Sequence, residues 1–130
     1  PVVGFKTDEF PAFYTRQSGL GVDYRIDHVA ALAEALATKW ALGLNGGVLI
    51  ANPILKKHQL QFKAIAQTIE EAIILAEKNG IKGKAITPFL LAKIEQLTKG
   101  KSLEANIQLV FNNAKLAAKL AVAFSKIQSQ

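Results

Sequence analysis

Apolar residues recur at two spacings along the chain, and these spacings predict strands that alternate with helices. Short apolar runs predict buried strands at residues 1–5 and 48–51, and alternating apolar and polar residues predict a half-exposed strand at 22–27. Residues 10–14 are aromatic but contain a proline, so we expect an edge strand or an ordered loop there. A helix that feeds a short buried strand is typical of an α/β fold.

Four further segments show the helical period. We expect the first helix to be capped by Asp27 and to end at residues 44–47, and the second to run from about residue 61 to residue 78. Thr87 and Pro88 suit the cap and first position of a third helix, and Ser102 suits the cap of a fourth that ends near Ile127. The expected fold is therefore an α/β chain with about four helices and two or three strands.

The fourth helix carries two asparagines, Asn106 and Asn113, where its period calls for apolar residues. The expected solvent face consists of Glu104, Gln108, Asn112, Lys115, Lys119 and Lys126. The opposite, buried stripe is expected to consist of Leu103, Ile107, Val110, Ala114, Ala117, Ala121 and Phe124, together with both asparagines. A buried amide needs a partner, which is the protein interior, another subunit, ordered water or a ligand.

Length and composition limit the possible classes of protein. With 130 residues, half of them apolar, the chain suits one domain over residues 1–130. It has no cysteine, which excludes disulfides and thiolate chemistry and agrees with the cytosol. We expect no membrane span or export signal and a cytoplasmic location, or an organelle in a eukaryote. Because the chain begins inside a predicted strand, we expect it to be a piece of a longer protein.

The net charge of +6 comes mostly from lysines that are spread along the chain. Nucleic-acid-binding proteins concentrate such charges, together with aromatic residues, on one face. We therefore interpret the lysines as the solvent sides of several helices and expect no nucleic-acid partner.

Few residues suggest catalysis. Asp8 and Glu9 are adjacent in a turn, where carboxylates point apart, so turn or cap roles are favoured over a shared proton. His28 and His58 have no second metal ligand at a suitable spacing, so each is only a candidate general base. No nucleophile with its base is recognisable.

Two loops next to predicted strands differ in what they suggest. Residues 45–47 lead from a helix to a strand, which is the wrong order for a phosphate-binding glycine loop and indicates a helix stop. Asn52 and Pro53 follow the carboxyl end of a strand, where open α/β sheets place ligand sites.

Several segments, in this order and spacing, resemble the pseudouridine-5'-phosphate glycosidases, the family that also contains indigoidine synthase A. The resemblance spans the whole chain but only the carboxyl-terminal part of a family member. The segments are Pro1-Val2-Val3-Gly4-Phe5, Thr7-Asp8-Glu9-Phe10-Pro11-Ala12-Phe13, Gly43-Leu44-Asn45-Gly46-Gly47, Ala51-Asn52-Pro53-Ile54, Gly83-Lys84, Thr87-Pro88-Phe89-Leu90-Leu91, Ser102-Leu103, Ala105-Asn106-Ile107 and Asn112-Asn113-Ala114.

The resemblance implies an α/β/α sandwich completed by a missing amino-terminal portion. It implies a homotrimeric glycosidase of nucleoside catabolism, a hydrolase or lyase, that reversibly cleaves the C–C glycosidic bond of pseudouridine 5'-phosphate to uracil and ribose 5-phosphate. The family's imine-forming lysine, acidic proton shuttle and divalent metal, typically manganese, belong to the portion outside this chain. We therefore expect no catalytic residue and no metal ligand here, and no activity from this chain alone.

The resemblance also implies that Asn106 faces the uracil, since an amide offers both a donor and an acceptor to its edge. Asn113 has no role to carry over and either orients Asn106 or is satisfied within the protein. Two alternatives stay open. One is a non-catalytic assembly or regulatory module of the same fold, and the other is a related enzyme that forms C-glycosides.

Overall fold

The computed structural model describes residues 1–129 and contains a three-stranded parallel sheet. Its strands are β1 (Val2–Phe5), β2 (Tyr24–Ile26) and β3 (Leu49–Ala51), in the order β2-β1-β3. In β1, Val3 pairs with Tyr24 on one side and with Ile50 on the other. The predicted α/β class and the three predicted strand segments are confirmed.

Four helices follow and separate the strands along the chain. They are α1 (Val29–Ala41), α2 (Phe62–Lys78), α3 (Ile86–Leu97) and α4 (Lys101–Gln128), with 3-10 turns at Lys56–His58 and Gly83–Ala85. Helix α1 packs along α4, where the rings of Trp40 and Phe124 meet edge to face with centroids 5.5 Å apart. Helices α2 and α3 pack against each other. The number of helices agrees with the prediction.

Buried residues lie in two parts of the chain. In β1, β3 and α1 they are Val3, Ala51, Leu32, Ala33 and Leu36. A second group is a hydrophobic cluster that joins the 10–14 region to α2, α3 and α4. It consists of Tyr14, Ile54, Ile65, Ala72, Ile94 and Ala105. Helix α4 connects them, because it contributes Ala105 to the second group and packs on α1 near its other end.

Residues 10–14 form an ordered loop, the second of the two predicted alternatives. Isolated bridges join Glu9 to Gly21 and Ala12 to Thr15, and Phe13 adopts a φ of 57°. The loop is anchored through Tyr14, which is buried and whose carbonyl accepts a hydrogen bond from the Leu60 N–H.

The predicted helix caps are wrong. Helix α1 begins after His28 with no side-chain cap, because the Asp27 carboxylate is bound by Arg25 instead. Helix α3 begins at Ile86, so Thr87 and Pro88 lie inside its first turn. Helix α4 begins after Gly100, and Ser102 is buried inside the helix, where its N–H donates to Thr98 Oγ1.

The predicted buried face of α4 is also wrong for this chain. Leu103, Ile107 and Val110 are 45%, 45% and 58% exposed. Asn106 and Phe124 of the predicted face are half-buried, but most of the covered residues lie one position earlier in the sequence, on a stripe rotated by about 100°. These are Ser102, Ala105, Leu109, Asn112, Leu116, Leu120, Ala123 and Ile127. Both stripes are largely apolar, and period alone does not show which of two adjacent stripes packs on the neighbouring helices.

Within residues 1–129, no helix is both long enough and apolar enough to cross a bilayer.

Candidate functional site

An open cleft of about 380 Å³ lies at the carboxyl ends of the three parallel strands. The chain leaves β1 at Lys6, β2 at Asp27 and β3 at Asn52, and all three residues line the cleft. Helix α4 closes another side with Asn112 and Lys115. The position agrees with the expectation that Asn52 and Pro53 mark a ligand site at this sheet edge.

Two asparagine amides tie the end of β3 to α4 across the cleft. Asn52 Nδ2 donates to Asn113 Oδ1 over 3.0 Å, and Asn112 Nδ2 donates to the Pro53 carbonyl over 3.0 Å. Arg16 fixes the next residue, because its Nη1 donates to the Ile54 carbonyl over 2.8 Å. The chain after β3 is therefore held by side chains from two distant segments.

Asn113 is thus satisfied within the protein, which is one of the two roles predicted for it. It is exposed, however, and does not lie in a buried stripe. Asn112, which the period placed on the solvent face, is half-buried and makes the Pro53 contact. Its spacing of three residues from Leu109 and four from Leu116 was the signal that could have placed it on the packed side.

Asn106 is half-buried and lies beside Ala105, which is part of the second buried group. Asn106 and Asn113 share a helix but are separated by about 10 Å along its axis, since each residue advances 1.5 Å. Among residues 1–129, the Asn106 amide makes no side-chain hydrogen bond to the protein. Its donor and acceptor are therefore available to a ligand, to solvent or to further polypeptide.

The acidic residues near the sheet have structural partners. Glu9 Oε2 accepts the N–H groups of Ser18 and Gly19 at 2.8 and 2.9 Å, and these hydrogen bonds hold the pKa of Glu9 below its usual range. Arg25 binds Asp27 through two hydrogen bonds and Asp8 through a third, which lowers the pKa of Asp27. Asp8 and Glu9 thus have separate partners, as the turn interpretation predicted.

The two histidines lie apart. His28 is exposed at the edge of the cleft, and His58 ends a 3-10 turn on another part of the surface. Neither has a hydrogen-bonded carboxylate among the described residues, so neither forms a catalytic pair there.

A divalent metal finds no suitable donor set in the described part of the chain. Within residues 1–129, no three histidine, aspartate or glutamate side chains lie close enough to hold an ion. The cleft is lined by four cationic side chains and one carboxylate, that of Asp27, and this balance of charge disfavours a divalent cation.

The indigoidine synthase A-like protein family model matches residues 1–123. Among curated relatives, the pseudouridine-5'-phosphate glycosidase of Caldanaerobacter subterraneus subsp. tengcongensis is 57% identical in an alignment that covers 100% of this chain. The pseudouridine-5'-phosphate glycosidase of Clostridium botulinum is 58% identical in an alignment that covers 98% of this chain. The matched regions make up only 42% and 41% of those relatives, so the chain spans less than half of their length.

Solved structures agree with this likeness. The prealnumycin C-glycosynthase in complex with ribulose 5-phosphate superimposes with a TM-score of 0.87 at 28% identity, covering 99% of this chain and 42% of that one. An indigoidine synthase A-like protein from Thermotoga maritima gives a TM-score of 0.80 at 33% identity, covering 94% of this chain and 40% of that one. Because the family model covers nearly all of the sequence and the fold agrees, the chain belongs to the indigoidine synthase A-like family.

Proposed function

We propose that this chain is the carboxyl-terminal portion of a pseudouridine-5'-phosphate glycosidase. The whole enzyme cleaves the C–C glycosidic bond of pseudouridine 5'-phosphate reversibly, giving uracil and ribose 5-phosphate. The observation that carries the proposal is the 57% identity, over all 130 residues, to a curated relative with that name.

Asn106 is the residue of this chain that we assign to the uracil. Its amide is half-buried and makes no side-chain hydrogen bond to the protein within residues 1–129, which leaves one donor and one acceptor group for the base. Uracil alternates carbonyl acceptors with N–H donors along its edge, so one amide can bind it at two points. Asn113, whose oxygen is engaged by Asn52, supports the local structure instead.

The chemistry of bond cleavage requires residues outside this chain. A carbon leaving group needs an electron sink, and the imine-forming lysine implied by the family resemblance supplies one. The acidic proton shuttle and the aspartate that holds a divalent metal, typically manganese, also lie outside residues 1–130 in this proposal.

The exposed apolar stripe of α4 supports a larger protein. Leu103, Ile107 and Val110 form one stripe, while Ala105, Leu109 and Leu116 on the neighbouring stripe are covered. A helix with apolar residues on most of its circumference is normally covered on both sides. We propose that polypeptide equivalent to the unmatched part of the relatives covers this stripe, in a homotrimer located in the cytoplasm.

A related C-glycoside-forming activity is the second candidate, because the prealnumycin C-glycosynthase has the same fold with a TM-score of 0.87. A non-catalytic assembly module is the third. The deciding experiment incubates the full-length protein with pseudouridine 5'-phosphate and manganese and measures uracil and ribose 5-phosphate by chromatography.

Equal amounts of uracil and ribose 5-phosphate are expected from the glycosidase. Consumption of another aromatic acceptor with ribose 5-phosphate, without turnover of pseudouridine 5'-phosphate, would favour the C-glycoside-forming enzyme. No turnover in either direction, by protein shown to be folded, would favour the module.

A further inference from the structure

Two hydrogen bonds join the segment after β3 to the middle of α4. Asn52 Nδ2 donates to Asn113 Oδ1, and Asn112 Nδ2 donates to the Pro53 carbonyl, each over 3.0 Å. Asn112 and Asn113 are adjacent, so their side chains point about 100° apart around the helix. Together the two hydrogen bonds therefore restrain both the rotation of α4 and its position along its own axis.

The segment after β3 is itself held in place. Arg16 Nη1 donates to the Ile54 carbonyl over 2.8 Å, and the Ile54 side chain is 1% exposed. Ile54 belongs to the same buried cluster as Ala105, the residue that precedes Asn106. One short piece of chain is therefore linked to α4 at two levels, its middle and the turn that carries Asn106.

Apolar packing alone leaves the rotation of α4 weakly defined. Two adjacent stripes of this helix are largely apolar, and Leu103, Ile107 and Val110 on one of them are exposed. Burying that stripe in place of the packed one would need a rotation of about 100°. Directional hydrogen bonds discriminate between such settings, as a single polar residue does when it selects one register in an apolar helix interface.

The setting of α4 decides where the Asn106 amide points. Asn106 and Asn113 are seven residues apart, so their side chains leave the helix in directions that differ by about 20° and are separated by about 10 Å along its axis. Helix α4 packs on α1 toward its other end, where Trp40 meets Phe124. The half of the helix that carries Asn106 therefore depends on the two asparagine contacts for its position.

We propose that Asn112 is a positioning residue for base recognition. Through its hydrogen bond to the Pro53 carbonyl, and together with the bond between Asn52 and Asn113, it holds Asn106 where the Asn106 amide meets the uracil. This inference rests on the proposed function, since the base is the ligand assigned to Asn106. A displacement of about 1 Å can lower a rate about 100-fold, so the restraint of α4 has a kinetic consequence.

Hydrogen exchange in the full-length protein tests the restraint without any substrate. Asn112→Ala should make the backbone amides of residues 101–110 exchange about three- to tenfold faster, because the loss of a hydrogen bond increases local opening. Residues 116–127 should be unchanged. Gln108→Ala is the matched control, because Gln108 is another amide of α4 and makes no side-chain hydrogen bond within residues 1–129. Equal exchange of residues 101–110 in wild type and Asn112→Ala would overturn the proposal.

A kinetic double-mutant cycle tests whether Asn112 acts through Asn106. Asn112→Ala should lower kcat/KM for pseudouridine 5'-phosphate about tenfold in the wild-type enzyme, but less than about twofold in the Asn106→Ala enzyme. Asn112→Asp keeps the size of the side chain but its carboxylate cannot donate to Pro53, so it should behave as Asn112→Ala does. Equal losses in both backgrounds would mean that Asn112 acts independently of Asn106 and would contradict the positioning role.

Asn113→Ala is the second variant, for use if Asn112→Ala does not fold, because Asn113 is exposed. It should show the same dependence on Asn106. If the wild-type protein does not turn over pseudouridine 5'-phosphate, the proposed function fails, and hydrogen exchange alone then decides whether Asn112 restrains α4. If the wild type is active and the cycle is additive, only the positioning role fails.

Discussion

The amide of Asn52 donates to the side-chain oxygen of Asn113 over 3.0 Å and joins the end of β3 to the middle of α4. The two residues are 61 positions apart in sequence, so this contact depends on the correct tertiary fold. With the Asn112 contact to Pro53, it sets the wall of the cleft.

A double-mutant cycle should measure this contact. Replacing Asn52 and Asn113 by alanine, singly and together, should give an interaction free energy of about 0.5 to 1 kcal/mol, the range of a neutral hydrogen bond in a partly exposed position. Urea denaturation of the full-length variants provides the free energies of unfolding. Strictly additive effects would mean that the two amides do not interact in solution.

Gly4 is required by a close approach of the backbone. A Cβ atom at this position would lie 2.2 Å from the Thr7 carbonyl oxygen and 2.9 Å from Val22 Cγ2. Because Gly4 is in the central strand and Thr7 O is backbone, Gly4→Ala should lower the free energy of unfolding by about 1–3 kcal/mol or more. Gly21→Ala is the control, since a Cβ atom at Gly21 would have no neighbour within 4 Å and the φ of Gly21 is not positive. Similar thermal stability of the two variants would disprove the steric argument.

Glu9 should make stability depend on pH. Hydrogen bonds from the Gly19 and Ser18 amides lower the pKa of Glu9 in the folded state. The ionised carboxylate therefore stabilises the fold fully above the pKa of Glu9 in the unfolded chain, and this stabilisation is lost as the pH falls through the lower pKa of the folded state. The melting temperature of Glu9→Gln should therefore lie below that of wild type at pH 7, and the difference should shrink under acidic conditions. A difference that is the same at pH 7 and pH 3 would show that the charge of Glu9 is not involved.

The exposed stripe of α4 should be an interior surface in the whole protein. Val110→Lys in the full-length protein should lower the free energy of unfolding by about 3 kcal/mol or more, because it buries an unpaired charge. Ser125→Lys adds the same charge at an exposed position of the same helix and should have little effect. Melting temperatures provide the comparison, and equal values would show that Val110 faces solvent.

The regular elements were largely predictable from the sequence because their signals are local. The strands at β1 and β3 follow from short apolar runs, and α2 begins one residue after the predicted start and ends at the predicted end. The helix caps were not predictable, because a capping side chain can have more than one hydrogen-bond partner. Asp27 could accept either the first amides of α1 or the guanidinium of Arg25, which lies only two residues earlier and donates to it over 2.8 Å, and the local sequence does not show which partner it takes.

The site was only partly predictable. Asn52 was indicated by its place after a strand, but its contact with Asn113 and the convergence of Lys6 with Lys115 require knowledge of long-range packing. The period of α4 also gave the wrong packed stripe, because two adjacent stripes are apolar and the local sequence does not distinguish them. Asn106 was singled out by period and by family resemblance, and its contact with uracil stays a prediction.

The central claim is that Asn106 binds the base of pseudouridine 5'-phosphate in an enzyme completed by further polypeptide. The most direct measurement is kcat/KM of the full-length Asn106→Ala enzyme, with Glu104→Ala, an exposed position on the same helix, as the control. We predict a decrease of about 10- to 100-fold for Asn106→Ala, equivalent to the loss of one or two hydrogen bonds, with an unchanged melting temperature. Wild-type kinetics for Asn106→Ala would contradict the account.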